Sequence, residues 1–160
     1  MSLRVGLGYD VHRVKAGRPL VLGGVRFESD WGLEGHSDAD VLAHAIGDAL
    51  LGAIALGDLG DHFPPGDEKW KNVSSMELLR LIRAMVEGRN GRIVNVDATV
   101  VAAAPRLAPM RDPMRARIAQ ALKIDGERVS VKATTNESLD ALGRGEGIAA
   151  WAVAMVEAPE

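Results

Sequence analysis

Apolar and small or polar residues alternate from the start of the chain. Leu3, Val5, Leu7 and Tyr9 are separated by Arg4, Gly6 and Gly8, so the period predicts a first strand over 3–9 that ends at Asp10-Val11-His12-Arg13. Pro19–Leu22 and Val25–Phe27 flank Gly23-Gly24, a hairpin signal. Glu28–Gly35 reads as a loop containing Trp31. The period then lengthens. Val41, Leu42, Ala45, Ile46, Ala49 and Leu50 predict a buried helix over about 38–54, with Ser37 as N-cap and Asp40 at the third position. Leu56–Asp67 is irregular and rich in Gly and Pro. Ser74-x-x-Glu77 opens a second helix whose stripe is Leu78, Leu79, Ile82, Met85 and Val86 and which stops near Gly88. A strand over 93–101, a loop over 105–109, a third helix over 110–123 and a strand over 128–133 follow, with Pro113 in the helix's first turn. Thr134–Gly147 reads as a polar, Gly-rich loop in which the Thr134-x-x-Glu137 box could precede a short helix, and Ile148–Val156 as a last, almost wholly apolar strand suited to a sheet centre or an interface. This order predicts one α/β (α+β) domain over 1–160, with helices packed on one face of a mixed sheet.

Composition narrows the partners. A net charge of −3 offers no general basic surface, which argues against nucleic acid. The absence of cysteine excludes disulfides and thiolate metal sites and fits a cytoplasmic location. No signal peptide and no membrane-spanning run is visible.

The chemistry concentrates in Gly35–Asp48, where two histidines and three aspartates interrupt a buried helix pattern. Asp40, His44 and Asp48 are spaced to share a helix face. Buried carboxylates need partners, and a cation is one such partner. Asp10 and His12 point to one side of a strand, and with His44 they would offer one oxygen and two nitrogens, a three-ligand set with an open position as in catalytic zinc sites. The same residues also fit a turn-capping Asp10, an exposed His12 and a hydrogen-bonded core His44. His36 and Ser37 stand at the helix entrance, where amides and dipole favour phosphate. Thr134-Thr135-Asn136-Glu137 could give hydroxyls and amides to phosphate oxygens and a hard ligand to Mg²⁺ at Glu137, or could be a capping box and turn. Ser37, His44 and Asp48 lack the nucleophile elbow of a serine hydrolase.

Taken together, these blocks resemble the 2-C-methyl-D-erythritol 2,4-cyclodiphosphate synthase family over essentially the whole chain. They are Gly8-Tyr9-Asp10-Val11-His12, Leu22-Gly23-Gly24-Val25, His36-Ser37-Asp38-Ala39-Asp40-Val41 with His44 and Asp48, and Ala55-Leu56-Gly57-Asp58-Leu59-Gly60. Phe63-Pro64, Asn95-Val96-Asp97, Ala104-Pro105-Arg106, Val131-Lys132-Ala133-Thr134-Thr135 and Gly143-Arg144-Gly145-Glu146-Gly147 complete them.

The resemblance implies that a cytidine diphosphate substrate cyclises through its own 2-phosphate and releases CMP. It assigns Zn²⁺, or another divalent transition metal, to Asp10, His12 and His44, and Mg²⁺ to Glu137. His36 and Thr135 match transition-state stabilisers, and Asp58, Leu59 and Gly60 match the segment that holds the methylerythritol hydroxyls. Ala102, Ala103, Ala104, Pro105, Arg106, Leu107 and Ala108 match the cytosine loop. Val11, Ser37, Phe63, Ala133, Thr134, Asn136, Ala141 and Arg144 complete the implied substrate contacts, with Asp48 supporting His44 from behind. The family is a homotrimer with active sites between subunits and an axial cavity that Arg144 would line. The chain departs from the family pattern at Pro65, Asn136 and Ala141. A zinc phosphohydrolase and a non-enzymatic nucleotide-binding module are the alternative readings of the same residues.

Overall fold

The computed structural model describes residues 1–160. The opening alternation becomes β1, Ser2–Ala16, which runs beyond the expected end at Arg13. Its last residues find a partner in β4, Trp31–Leu33, inside the stretch expected to be loop. Three residues carry too little periodicity to announce a strand. β2, Leu20–Leu22, and β3, Val25–Phe27, form the expected hairpin but stay apart from the main sheet as a two-stranded ribbon. Gly23 and Gly24 both have positive φ, which a two-residue hairpin turn of this kind requires.

The main sheet has the order β4-β1-β7-β5-β6, where β5 is Arg92–Val101, β6 Val129–Thr134 and β7 Gly147–Ala158. β5 and β6 are parallel and the other pairs antiparallel, so the sheet is mixed as expected. The apolar last strand takes the centre.

The long helices are α1, Val41–Ala53, α3, Ser75–Gly88, and α4, Arg111–Leu122. Of two short ones, α2, Leu59–His62, lies in a segment expected to be irregular, and α5, Asp140–Gly143, lies where a short helix could follow Thr134-x-x-Glu137. α1 rests on β1 and β7, and small residues set the distance. A Cβ on Gly8 would lie 1.8 Å from the Ala45 carbonyl oxygen, and one on Gly6 would lie 1.8 Å from that of Ala49. Ala150, Ala152 and Ala154 of β7 are fully buried in the same layer. Only glycine allows the helix backbone to meet the strand this closely. Asp10 and His12 continue the Gly6–Gly8 row along β1, so this seating also brings His44 of α1 to them.

Two helix starts differ from expectation. α1 begins at Val41, and its N-cap is Asp40, not Ser37. Asp40 Oδ1 accepts from the Ala43 amide at 3.0 Å and from the Gly23 amide at 2.9 Å, and Oδ2 accepts from Gly24 at 2.7 Å. The carboxylate therefore caps the helix and fastens the hairpin turn to it, which a serine hydroxyl cannot do with one oxygen. As the cap, Asp40 leaves the face on which it was expected to join His44 and Asp48. Ser74 does hold the N-cap position of α3, but its side chain makes no capping bond. The Thr134-x-x-Glu137 box does not form either. Glu137 sits in the left-handed region, and its amide bonds Thr135 Oγ1 at 3.2 Å.

Candidate metal centre and the comparisons that place it

Three donor atoms converge where β1 meets α1. Asp10 Oδ2 lies 2.8 Å from His12 Nε2 and 3.0 Å from His44 Nδ1, and the two nitrogens are 3.2 Å apart. These residues are half-buried, and they are the one cluster of three or more such ligands in the structure. Each ring is oriented by its other nitrogen. His12 Nδ1 donates to the Glu34 carbonyl at 2.7 Å, which turns Nε2 towards the cluster. His44 Nε2 lies 2.9 Å from Ser75 Oγ and 3.1 Å from Ser37 Oγ, which turns Nδ1 inward.

The electrostatics match the geometry. Burial pushes Asp10 up, but hydrogen bonds and charge from His12 and His44 outweigh it and hold the carboxyl at about 2. Burial lowers His12, yet the hydrogen bond and charge of Asp10 outweigh it and raise the imidazole above its ordinary value. A carboxylate drawing two imidazoles together is a cation site with protons standing in for the ion. One carboxylate oxygen and two imidazole nitrogens with fixed tautomers fit a divalent transition metal that keeps a position open.

The cluster lines a cleft of about 260 Å³. His36, Ser37, Asp48, Leu59, Gly60 and Phe63 line it as expected from the sequence. Pro65, Trp70, Val73 and Leu78 line it too and were not anticipated. Phe63 and Trp70 meet edge to face with ring centres 4.9 Å apart and give the cleft an aromatic wall. A lone tryptophan between turn residues gives no sequence signal for this role.

Asp48 makes no hydrogen bond to His44, though its carboxylate lies within reach of that residue's charge. Its Oδ1 accepts from the Leu59 amide at 2.8 Å, so it anchors the segment that carries Asp58, Leu59 and Gly60. Burial raises its carboxyl above the ordinary value, against that hydrogen bond. Asp58 caps α2 in a reciprocal box with Asp61. His36 Nε2 donates to the Asp67 carbonyl at 2.9 Å and leaves Nδ1 free.

The remaining expected residues assemble elsewhere. Ala102–Ala108 follow β5 and Thr134–Glu137 follow β6, and the Ala102 amide bonds the Thr134 carbonyl at 3.0 Å. Ala133, Thr134, Thr135 and Glu137 are exposed, whereas Ala102 and Leu107 are buried in the core. Asn136 donates to the Asp140 carboxylate at 3.0 Å, and Arg144 pairs with Glu146. Val11 alternates with Asp10 and His12 along β1, and with Ala141 it lines a second hollow that shares His12 with the cleft. None of these remaining residues lines the metal cleft.

The fold and cleft define an α+β protein with a candidate three-ligand metal site at a helix–strand seam. The YgbB family profile matches residues 3–157. The chain is 55% identical over 157 residues to 2-C-methyl-D-erythritol 2,4-cyclodiphosphate synthase of Thermosynechococcus vestitus, covering 98% of each. It is 57% identical over 154 residues to the synthase of Moorella thermoacetica, covering 96% of this chain and 94% of that one. Among solved structures, the bifunctional IspDF of Campylobacter jejuni superposes with a TM-score of 0.95 at 41% identity, over 99% of this chain and 43% of that one. The CDP complex of Plasmodium falciparum IspF superposes with a TM-score of 0.87 at 33% identity, over 99% of this chain and 98% of that one. The chain belongs to the YgbB family of 2-C-methyl-D-erythritol 2,4-cyclodiphosphate synthases.

Proposed function

We propose that the protein, as one domain over 1–160, converts 4-diphosphocytidyl-2-C-methyl-D-erythritol 2-phosphate to 2-C-methyl-D-erythritol 2,4-cyclodiphosphate with release of CMP. It is a phosphorus–oxygen lyase of the non-mevalonate isoprenoid pathway. The observation that carries this reading is the convergence of Asp10, His12 and His44 in a cleft with an aromatic wall. Relatives that match nearly end to end and bear that activity in their names support it.

An oxygen of the 2-phosphate attacks the β-phosphorus, and the bond from that phosphorus to the CMP oxygen breaks with its electron pair leaving on CMP. Such a step depends on positioning and charge neutralisation. A divalent transition ion such as Zn²⁺, held by Asp10, His12 and His44, would supply Lewis-acid polarisation of a phosphate oxygen, and Mg²⁺ at Glu137 would neutralise diphosphate charge. His36, fixed through Nε2, presents Nδ1 to the phosphates. Asp58, held by its box with Asp61 and by the Asp48–Leu59 bond, offers carboxylate oxygen to sugar hydroxyls. Phe63 and Trp70 narrow the cleft and exclude water.

Thr135, Glu137 and the Ala102–Ala108 loop reach a substrate in this cleft when they come from a neighbouring subunit of a homotrimer. The outer face of the sheet supports that assembly. Leu3, Val5, Leu7, Tyr9 and Val11 of β1 and Trp151 and Val153 of β7 are all exposed there, an apolar surface suited to another copy of the chain. No helix is long and apolar enough to cross a membrane. A charged nucleotide substrate is consistent with work in the cytoplasm.

The test is incubation with the cytidyl substrate, Zn²⁺ and Mg²⁺, followed by phosphorus NMR. CMP and a cyclic diphosphate are expected in equal amounts. A linear phosphate product would point to a phosphohydrolase, and binding without CMP release would point to a nucleotide-binding module.

A further inference from the structure

The cleft has a second layer that ties the metal centre to the start of α3. Ser75, the first residue of that helix, is buried, and its Oγ lies 2.9 Å from His44 Nε2. The same Oγ lies 2.5 Å from Asp38 Oδ1, and the Ser75 amide lies 2.8 Å from Asp38 Oδ2. A carboxylate only accepts, so the Ser75 hydroxyl must donate to Asp38. The oxygen lone pairs of Ser75 are then left for His44, and His44 Nε2 must carry the proton that reaches them. This fixes a proton on Nε2 and leaves Nδ1, the nitrogen that faces Asp10 and His12, as the one the metal would take. Ser37 Oγ, 3.1 Å from the same Nε2, already accepts from the Ala39 amide at 3.2 Å and is an auxiliary acceptor.

We propose that Asp38 and Ser75 are positioning residues: a carboxylate–hydroxyl relay that selects the metal-binding tautomer of His44. The inference rests on reading Asp10, His12 and His44 as a metal site. Outer partners of this kind commonly strengthen metal affinity by about 10- to 100-fold. The backbone explains why Asp38 can serve this relay while Asp40 serves the hairpin. Ala39 between them has φ +57, in the left-handed region. That twist, unfavourable for a residue with a Cβ, sends two carboxylates only two residues apart to different elements. Asp38 therefore binds the α3 start to the His44 ring, and metal affinity depends on how α3 is seated.

The experiment uses the full chain and the metal alone, with no substrate. Zn²⁺ and Co²⁺ affinities of Ser75→Ala, Ser75→Thr and Asp38→Asn are read by competition with a chromophoric chelator. The His44 tautomer is read from ¹⁵N shifts of the Zn²⁺-loaded protein. Wild type is expected to show the proton on Nε2. Ser75→Ala should bind metal about 10- to 100-fold more weakly, with a mixed tautomer and an altered Co²⁺ absorption band, while Ser75→Thr keeps affinity within about threefold. Unchanged affinity and tautomer in a folded Ser75→Ala would overturn the relay, as would Ser75→Thr losing as much as Ser75→Ala. If Ser75→Ala does not fold, Asp38→Asn decides through the same readouts, since its amide cannot accept from both the hydroxyl and the Ser75 amide. His12→Ala separates the two layers of the argument. Retained metal in His12→Ala refutes the metal site itself, whereas lost metal there with retained metal in Ser75→Ala refutes only the relay.

Discussion

The cleft at the α1–β1 seam and the rim beyond β5 and β6 hold the two halves of the expected site, and they are built differently. In the cleft each polar group is held by another: His12 by the Glu34 carbonyl, His44 by Ser75, and Leu59 by Asp48. The rim residues Ala133, Thr134, Thr135 and Glu137 stand exposed, and their bonds are local, such as the Glu137 amide to Thr135 and Asn136 to Asp140. One region is organised within the chain and the other waits for something to face. A metal site must be rigid before its ligand arrives, because ligands left to wander lose the affinity that convergence provides. A surface that completes a neighbour's site can remain open until assembly.

The sharpest way to break this contrast is to unseat α1. Gly8→Ala drives a Cβ into the Ala45 carbonyl, and neither backbone can yield. A loss of about 3 kcal/mol or more is expected, with metal binding lost alongside, read by urea denaturation and metal titration. Unchanged stability would show that helix and strand are not in backbone contact.

Next in size is the separation of the two regions by ligand. His12→Ala should weaken metal binding roughly a hundredfold or more and abolish turnover. Glu137→Gln should slow turnover while leaving about one transition metal per chain. Elemental analysis beside a CMP-release assay checks both, and metal lost in Glu137→Gln would merge the regions.

A smaller effect is expected from Asp48→Ala, which frees the Leu59 amide. Losing a hydrogen bond to a charged group costs about 1.5–3 kcal/mol, felt as a higher KM with metal affinity unchanged. Weakened metal binding in this variant would return Asp48 to a role behind His44.

The smallest effect is pH-dependent. Metal must displace the proton that Asp10 holds on His12, so affinity should climb as pH rises through the raised His12 value and then level off. In the metal-free protein the sign reverses. The raised imidazole contributes stability below its unfolded value of about 6.5 and loses it as pH rises through the folded value. Thermal melts with and without chelator between about pH 6 and 8.5 should therefore slope in opposite directions.

Much of this architecture is written in local patterns. Alternation announced β1 and β5, an almost wholly apolar run announced β7, and the Gly23-Gly24 pair announced the hairpin. The 3.6-residue stripe announced α1 and α3. Asp10 and His12 share a strand face by parity alone, and His44 follows a helix entrance rich in acid, so the ligand triad is legible in the order of residues. What is not legible there depends on pairs far apart along the chain. Nothing in that order links Asp38 to Ser75, Asp40 to Gly23 and Gly24, or Asp48 to Leu59. Identical carboxylates near one helix start were separable only once three different elements had docked against them. The sequence determined which side chains face one way along each strand and helix, because those periods are properties of the local backbone. Tertiary structure decided which of them meet, because a hydrogen-bond partner is chosen by packing distance, and here that distance was set by two glycines under a helix.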